Sequence, residues 1–217
     1  MIITPEGLNR YEELVRQYEA YQVETGGVLL YGSSFFTRWG YERAREQLSG
    51  IRGGVVCHGI GGGTGDELLF NYGRLVWPYK PSAMVLRAGV NDLGRGYSPE
   101  EAAATAIRVC EWNRANFPGC KNIVMSIFDF ISAPEKKMHR LYPAYSAIMQ
   151  HYVSETPDTF WFDISPFLHN SPASVGTYTD FRDDVFGPDG LHLTDDGYAK
   201  IAPWFTEQVN AILKGDE

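Results

Sequence analysis

Leu29-Leu30-Tyr31-Gly32-Ser33-Ser34-Phe35 runs from large apolar residues through one glycine and two serines into a stretch compatible with a helix. The same shape recurs along the chain. Strand-length apolar runs at residues 28–31, 54–57, 83–88, 122–127 and 159–162 are each followed within two residues by Gly, Ser or Asp, with helical patterns between them. Near-continuous hydrophobicity, rather than alternation, fits strands covered on both faces. The pattern therefore predicts an α/β fold with a parallel sheet of about five strands built from βαβ units.

Between these runs, Ser98-Pro99-Glu100-Glu101 reads as a helix start, with Ser98 as N-cap, Pro99 at the first helical position and Glu101 closing a capping box. That helix is expected to reach about Asn116, ahead of Pro118-Gly119. Leu8, Tyr11, Leu14, Val15 and Tyr18 recur at helical spacing, which predicts a leading amphipathic helix within residues 1–25. A last helix opens at Thr194 with Asp195 and Asp196 at its positive end. It carries Tyr198, Ile201, Phe205, Val209 and Ile212 on one face, and a kink or break is expected at Pro203. Residues 164–188, with several Pro, Gly, Ser and Asp, read as one long loop. With 217 residues and neither repeat nor linker, the chain is expected to form one domain, 1–217.

A composition of 44% hydrophobic and 21% charged residues is that of a globular protein, not a disordered one. The net charge is −8 and the basic residues are scattered, so nothing supplies the cationic stripe that nucleic acid needs. The start lacks a basic segment followed by an apolar run, and no stretch approaches the ~18 apolar residues of a membrane span. A cytoplasmic, soluble protein is the expectation, with an oligomer left open. Cys57, Cys110 and Cys120 are odd in number and lack Cys-x-x-Cys spacing, so they read as small buried hydrophobes. His58, His139, His151 and His169 show no metal-ligand spacing. Asp180, Asp183 and Asp184 offer oxygen ligands for a hard cation, although a solvated loop accounts for them more simply.

Four segments carry chemistry. In an open α/β sheet ligands bind at the carboxyl ends of the strands. A serine after Gly32 sits at such an end, where the following helix start offers backbone N–H groups to an oxyanion; a tight turn with an N-cap serine reads equally well. Gly59-Ile60-Gly61-Gly62-Gly63 lets the backbone approach something closely. Thr64 stands where a dinucleotide fingerprint beginning at Gly59 needs glycine. Asn91, in Gly89-Val90-Asn91-Asp92, has an amide able to donate to developing negative charge, or serves ordinary turn chemistry. Asp189 lies three residues before His192, close enough in a turn to orient the imidazole so that its other nitrogen takes a serine proton. Together the four supply a nucleophile, two oxyanion donors and a base with its orienter. Gly-x-Ser-x-Gly fails at Phe36, which argues against an α/β-hydrolase elbow.

This set resembles the SGNH, or GDSL-like, hydrolases. Gly32-Ser33-Ser34 is similar to their first block, usually Gly-Asp-Ser, the glycine run to the second, Gly89-Val90-Asn91-Asp92 to Gly-x-Asn-Asp, and Asp189-x-x-His192 to the last. The surrounding wording is similar to bacterial relatives of platelet-activating-factor acetylhydrolase. The resemblance implies a flavodoxin-like three-layer α/β/α fold and a Ser34, His192 and Asp189 triad. It also implies an oxyanion hole from the Ser34 N–H, the Gly62 N–H and the Asn91 side chain. No cofactor or metal is implied. The substrate is expected to be an acyl ester of a small molecule, lipid or carbohydrate. A non-catalytic binding module on the same fold, or acyl transfer by the same triad, are the alternatives. Two positions depart from the pattern. Ser33 replaces the usual Asp and is a fallback nucleophile, and Cys57 stands where many relatives carry Asn. Asp129, flanked by Phe128 and Phe130, follows the fourth strand at an edge expected to wall the site, where it either orients substrate or caps a turn; Phe35, Phe36, Trp39, Tyr97 and Phe186 are candidates for its pocket or, more commonly for aromatics, for the core.

Overall fold

The computed structural model describes residues 7, 9–127, 130–133 and 138–215. Five strands, β1 (Val28–Gly32), β2 (Val55–Gly59), β3 (Ala83–Arg87), β4 (Lys121–Met125) and β5 (Thr159–Phe162), pair in parallel in the order β2-β1-β3-β4-β5. Every residue of β1 to β4 is buried, which is why their sequences do not alternate. The order is that of the flavodoxin-like, doubly wound sheets, whose direction of winding reverses between β1 and β3.

Helices cover both faces. In chain order they are α1 (Glu12–Glu19), α2 (Ser34–Trp39), α3 (Tyr41–Gln47), α4 (Gly65–Leu75), α5 (Val90–Gly94), α6 (Pro99–Asn116), α7 (Tyr142–Glu155), α8 (Ser165–Leu168) and α9 (Asp195–Lys214). The crossover helices α4, α6 and α7 pack side by side, α1 lies against α4, and α3 meets α9. Gly59 ends β2 where α2 comes down on it; a Cβ there would stand 1.9 Å from the Thr37 nitrogen, so only glycine allows that approach.

Helix α6 starts and stops where its sequence predicts, with both capping-box bonds made between Ser98 and Glu101. Three elements differ from expectation. The leading helix is short. A 3-10 turn at Asn9–Tyr11 precedes α1, with Val15 and Tyr18 buried and Tyr11 and Leu14 packed against the core; Leu8 lies outside the described residues. Helix α9 passes through Pro203 unbroken, because Ile201, Ala202 and Phe205 around the proline are all buried and hold the helix to the body of the protein. Residues 164–188 are folded rather than one loop. They hold α8, a 3-10 turn at Pro172–Ser174, a bridge from His169 to Phe181, and the buried side chains of Phe181, Val185 and Phe186. No helix among the described residues is long and apolar enough to cross a membrane.

Candidate active site

Ser34 opens α2 directly beyond the carboxyl end of β1, the glycine loop follows β2, and Asn91 lies in α5 just beyond β3. All three therefore meet at the topological switch point, where the sheet's winding leaves a crevice. The segment from Phe186 to Leu193 brings in the rest. An antiparallel bridge between these two residues closes a turn, and Asp189 holds it by accepting the N–H groups of Leu191 at 3.0 Å and His192 at 2.9 Å on Oδ1. Its other oxygen lies 2.7 Å from His192 Nδ1, and His192 Nε2 lies 3.1 Å from Ser34 Oγ. The structure brings the expected triad and oxyanion residues together: Ser34, Gly62, Asn91 and His192 line one cleft of about 370 Å³, with Asp189 behind the histidine.

The electrostatics are arranged for proton transfer. Burial lowers the His192 imidazole below its ordinary value, Asp189 opposes that shift, and the Arg38 charge adds to it. The ring is thus held neutral near pH 7 and able to accept a proton. Desolvation raises Asp189, but the N–H and ring hydrogen bonds of His192 and the Leu191 N–H outweigh it and hold the carboxyl well below the usual carboxylate range. Neither the Ser34 N–H nor the Gly62 N–H makes a backbone hydrogen bond among the described residues. The Asn91 amide donates one N–H to the Gly63 carbonyl at 2.8 Å and keeps a second.

Ser33 also lines the cleft but stands outside the line of contacts from Asp189 through His192 to Ser34. It is 3% exposed, and its Oγ accepts a hydrogen bond from Arg87 Nη1 at 3.0 Å. The buried Arg87 guanidinium lies over the Phe35 ring, and burial lowers it to about 10. The Cys57 thiol is also buried, its Sγ 3.4 Å from the Phe36 carbonyl, so it packs beneath α2. Of the candidate pocket aromatics, Phe35 lines the cleft. Phe36, Trp39 and Phe186 are core, and Tyr97 bonds Asp66. Asp129 and Phe128 lie outside the described residues; Phe130 lines a second, smaller cavity of about 260 Å³ that shares Gly62, Val90, Asn91 and Leu191 with the first.

His58 is core, its Nδ1 2.8 Å from the Leu75 carbonyl, and its burial lowers it to about 4. His169 is buried against Phe181 and the Thr179 carbonyl. Asp184 pairs with Arg182 and Lys200, Asp180 accepts from Ser174 and Asn170, and no metal-holding group of three such side chains occurs among the described residues.

Sequence reasoning missed Arg38, Arg87, Leu191 and Tyr198 as cleft residues. Arg38 had a signal, since it stands four residues after Ser34 and so shares its helix face. Arg87 had another, as a charged residue closing an otherwise apolar strand. Tyr198 had none: it reaches the site because its hydroxyl bonds the Phe35 carbonyl at 2.7 Å from α9.

The model of the GDSL-like lipase/acylhydrolase family matches residues 9–200, and the chain belongs to that family. No curated protein matches the chain. Solved structures share its fold at low identity. A candidate platelet activating factor from Streptococcus pneumonia is 18% identical, with a TM-score of 0.76 over 93% of this chain and 94% of that one. A GDSL-like lipase from Bacteroides thetaiotaomicron is 18% identical, with a TM-score of 0.70 over 94% and 98%. A catalytic mutant of an acetylxylan esterase from Geobacillus stearothermophilus is also 18% identical, with a TM-score of 0.62 over 87% and 96%. Membership of that lipase/acylhydrolase family supports a hydrolytic enzyme, and the neighbours share its fold.

Proposed function

We propose that the chain is a serine esterase that removes an acetyl or other short acyl group from a carbohydrate, lipid or small-molecule ester. His192 Nε2 takes the proton of Ser34 as Oγ attacks the acyl carbon, while Asp189 holds the imidazole in the Nδ1–H form and stabilises the imidazolium. The Ser34 N–H, the Gly62 N–H and the Asn91 amide receive the developing oxyanion. The imidazolium then protonates the departing alcohol, and water, deprotonated by the same histidine, releases the acid and restores the serine. The chain, 1–217, works as one hydrolase domain with the leading helix packed on it.

The observation that carries this reading is the continuous pair of contacts from Asp189 to His192 to Ser34, at 2.7 and 3.1 Å, opening into a cleft that Gly62 and Asn91 also line. The short-acyl preference rests on the cleft's about 370 Å³, near the lower end of small-ligand sites. Intact-mass labelling with a fluorophosphonate, with peptide mapping, tests it. The expected result is one adduct, on Ser34, lost in Ser34→Ala and retained in Ser33→Ala, with p-nitrophenyl acetate turned over faster than the octanoate. An unlabelled protein, or an adduct on Ser33, refutes the assignment.

A further inference from the structure

Gly61, Gly62 and Gly63 form the freest kind of backbone, and Gly62 adopts a positive φ of 75°. A donor on such a segment is useful to an oxyanion only if the segment is held still. Much of the holding comes from outside the loop, through the Gly62 carbonyl. Arg10 Nη2 donates to that oxygen at 2.9 Å and Arg95 Nη2 at 2.7 Å. Two donors occupy both lone pairs of one carbonyl and so fix its direction as well as its position. The two guanidiniums are gathered by one carboxylate. Glu67, whose side chain is only 4% exposed, pairs with Arg10 at 2.9 Å and with Arg95 at 3.4 Å. The same carboxylate accepts the Thr64 N–H at 2.8 Å and closes the capping box of α4. Arg10 arrives from the 3-10 turn ahead of α1, more than fifty residues away in sequence, and Arg95 follows α5, the helix that carries Asn91.

We propose that Arg10 and Arg95, gathered by Glu67, are positioning residues that clamp the Gly62 carbonyl and thereby aim the Gly62 N–H at the oxyanion. The leading segment of the chain is in this way part of the hydrolytic apparatus, an inference that rests on the esterase reading above. Neither arginine touches the reacting atoms. Removing one loosens a donor without deleting it, so the expected loss is smaller than for a missing oxyanion donor, about tenfold.

The experiment compares Arg10→Met and Arg95→Met with Arg74→Met. Arg74 ties α1 to α4 through Glu12 at 2.6 Å and Glu19 at 2.7 Å but does not reach the loop, so its variant separates docking of the helix from gripping of the carbonyl. Three quantities are read on the full-length protein: the rate of fluorophosphonate labelling, kcat and KM for p-nitrophenyl acetate, and amide hydrogen exchange in a peptide spanning residues 60–66. The inference expects labelling and kcat to fall about tenfold in Arg10→Met and Arg95→Met with KM within twofold, exchange in that peptide to quicken, and Arg74→Met to stay within twofold of the parent in kcat. Unchanged loop exchange in Arg10→Met overturns it, as does an equal loss of kcat in Arg74→Met. If the parent protein takes no label on Ser34, the esterase reading falls instead, and loop exchange alone then decides whether the clamp exists.

Discussion

Replacing Asp189 by Asn isolates what the carboxylate does for the histidine. Oδ1 accepts two backbone N–H groups and Oδ2 faces His192 Nδ1 at 2.7 Å. An asparagine amide keeps the turn through its carbonyl oxygen and turns an NH₂ towards Nδ1. The imidazole then accepts at Nδ1 and carries its proton on Nε2, facing Ser34 Oγ as a donor. Returning to the productive tautomer sacrifices a hydrogen bond of ~1 kcal/mol and sets two donors against each other, at about 1–3 kcal/mol. The charge-assisted bond to the imidazolium, about 1.5–3 kcal/mol, disappears as well. These terms together make about 3.5–7 kcal/mol, or roughly 300-fold to 10⁵ in rate at ~1.4 kcal/mol per tenfold. The Asp189 side chain is 44% exposed, so water relieves part of each term and the expected fall in kcat is about 10²–10³. The assay is p-nitrophenyl acetate turnover beside a thermal melt. Asp189→Asn should melt with the parent, whereas Asp189→Ala also loses the turn and should melt lower. A folded Asp189→Asn protein within fivefold of the parent kcat refutes the tautomer argument.

On the proposed mechanism Asn91→Ala deletes an oxyanion donor, and it also releases the Gly63 carbonyl, so kcat should fall about 10²–10³ with little change in KM, as steady-state kinetics will report. On the same mechanism catalysis needs neutral His192, whose pKa burial lowers, so kcat/KM should rise with pH through a midpoint below 6.5; a midpoint above 7 contradicts the site. Burial raises the Asp92 carboxyl from 3.8 to about 6. A carboxyl raised in the native state contributes stability that is complete below about pH 4 and lost as pH climbs through about 6, here ~3 kcal/mol. Urea titrations from pH 4 to 7 should show that decline in the parent and a flatter profile in Asp92→Asn, and equal slopes in the two proteins exclude it.

What the sequence discloses is whatever is local. Helix α6 is legible to the residue because Ser98, Pro99 and Glu101 bond within one turn, and the strands are legible because burial on both faces leaves an uninterrupted apolar run. β2 extends past its apolar run through His58 and Gly59, since a buried histidine satisfied by the Leu75 carbonyl looks polar in sequence and behaves as core. That Ser34, Gly62, Asn91 and His192 meet in one cleft is legible because each follows a strand or precedes a helix, whereas Arg38, Arg87, Leu191 and Tyr198 join them unannounced. Ser33 and Ser34, adjacent and chemically identical, separate only when Arg87, 54 residues on, takes the first as its partner. The grip of Arg10 and Arg95 on Gly62 likewise has no local trace. Nor does the continuity of α9 through Pro203, where burial of the neighbouring residues overrides a helix breaker.

Ser34 and His192 are separated by 158 residues, one just beyond the first strand in the chain and the other ahead of the last helix. During synthesis the serine therefore emerges long before its base, and every nascent or half-folded form lacking the docked final helix carries a chemically quiet hydroxyl. On the proposed mechanism, Ser34 gains its base only when the two ends of the described chain have met. The same separation makes a serine-directed probe a gauge of maturation: on ribosome-arrested chains, or during refolding, the labelled fraction counts molecules whose last helix has seated, without a separate spectroscopic signal.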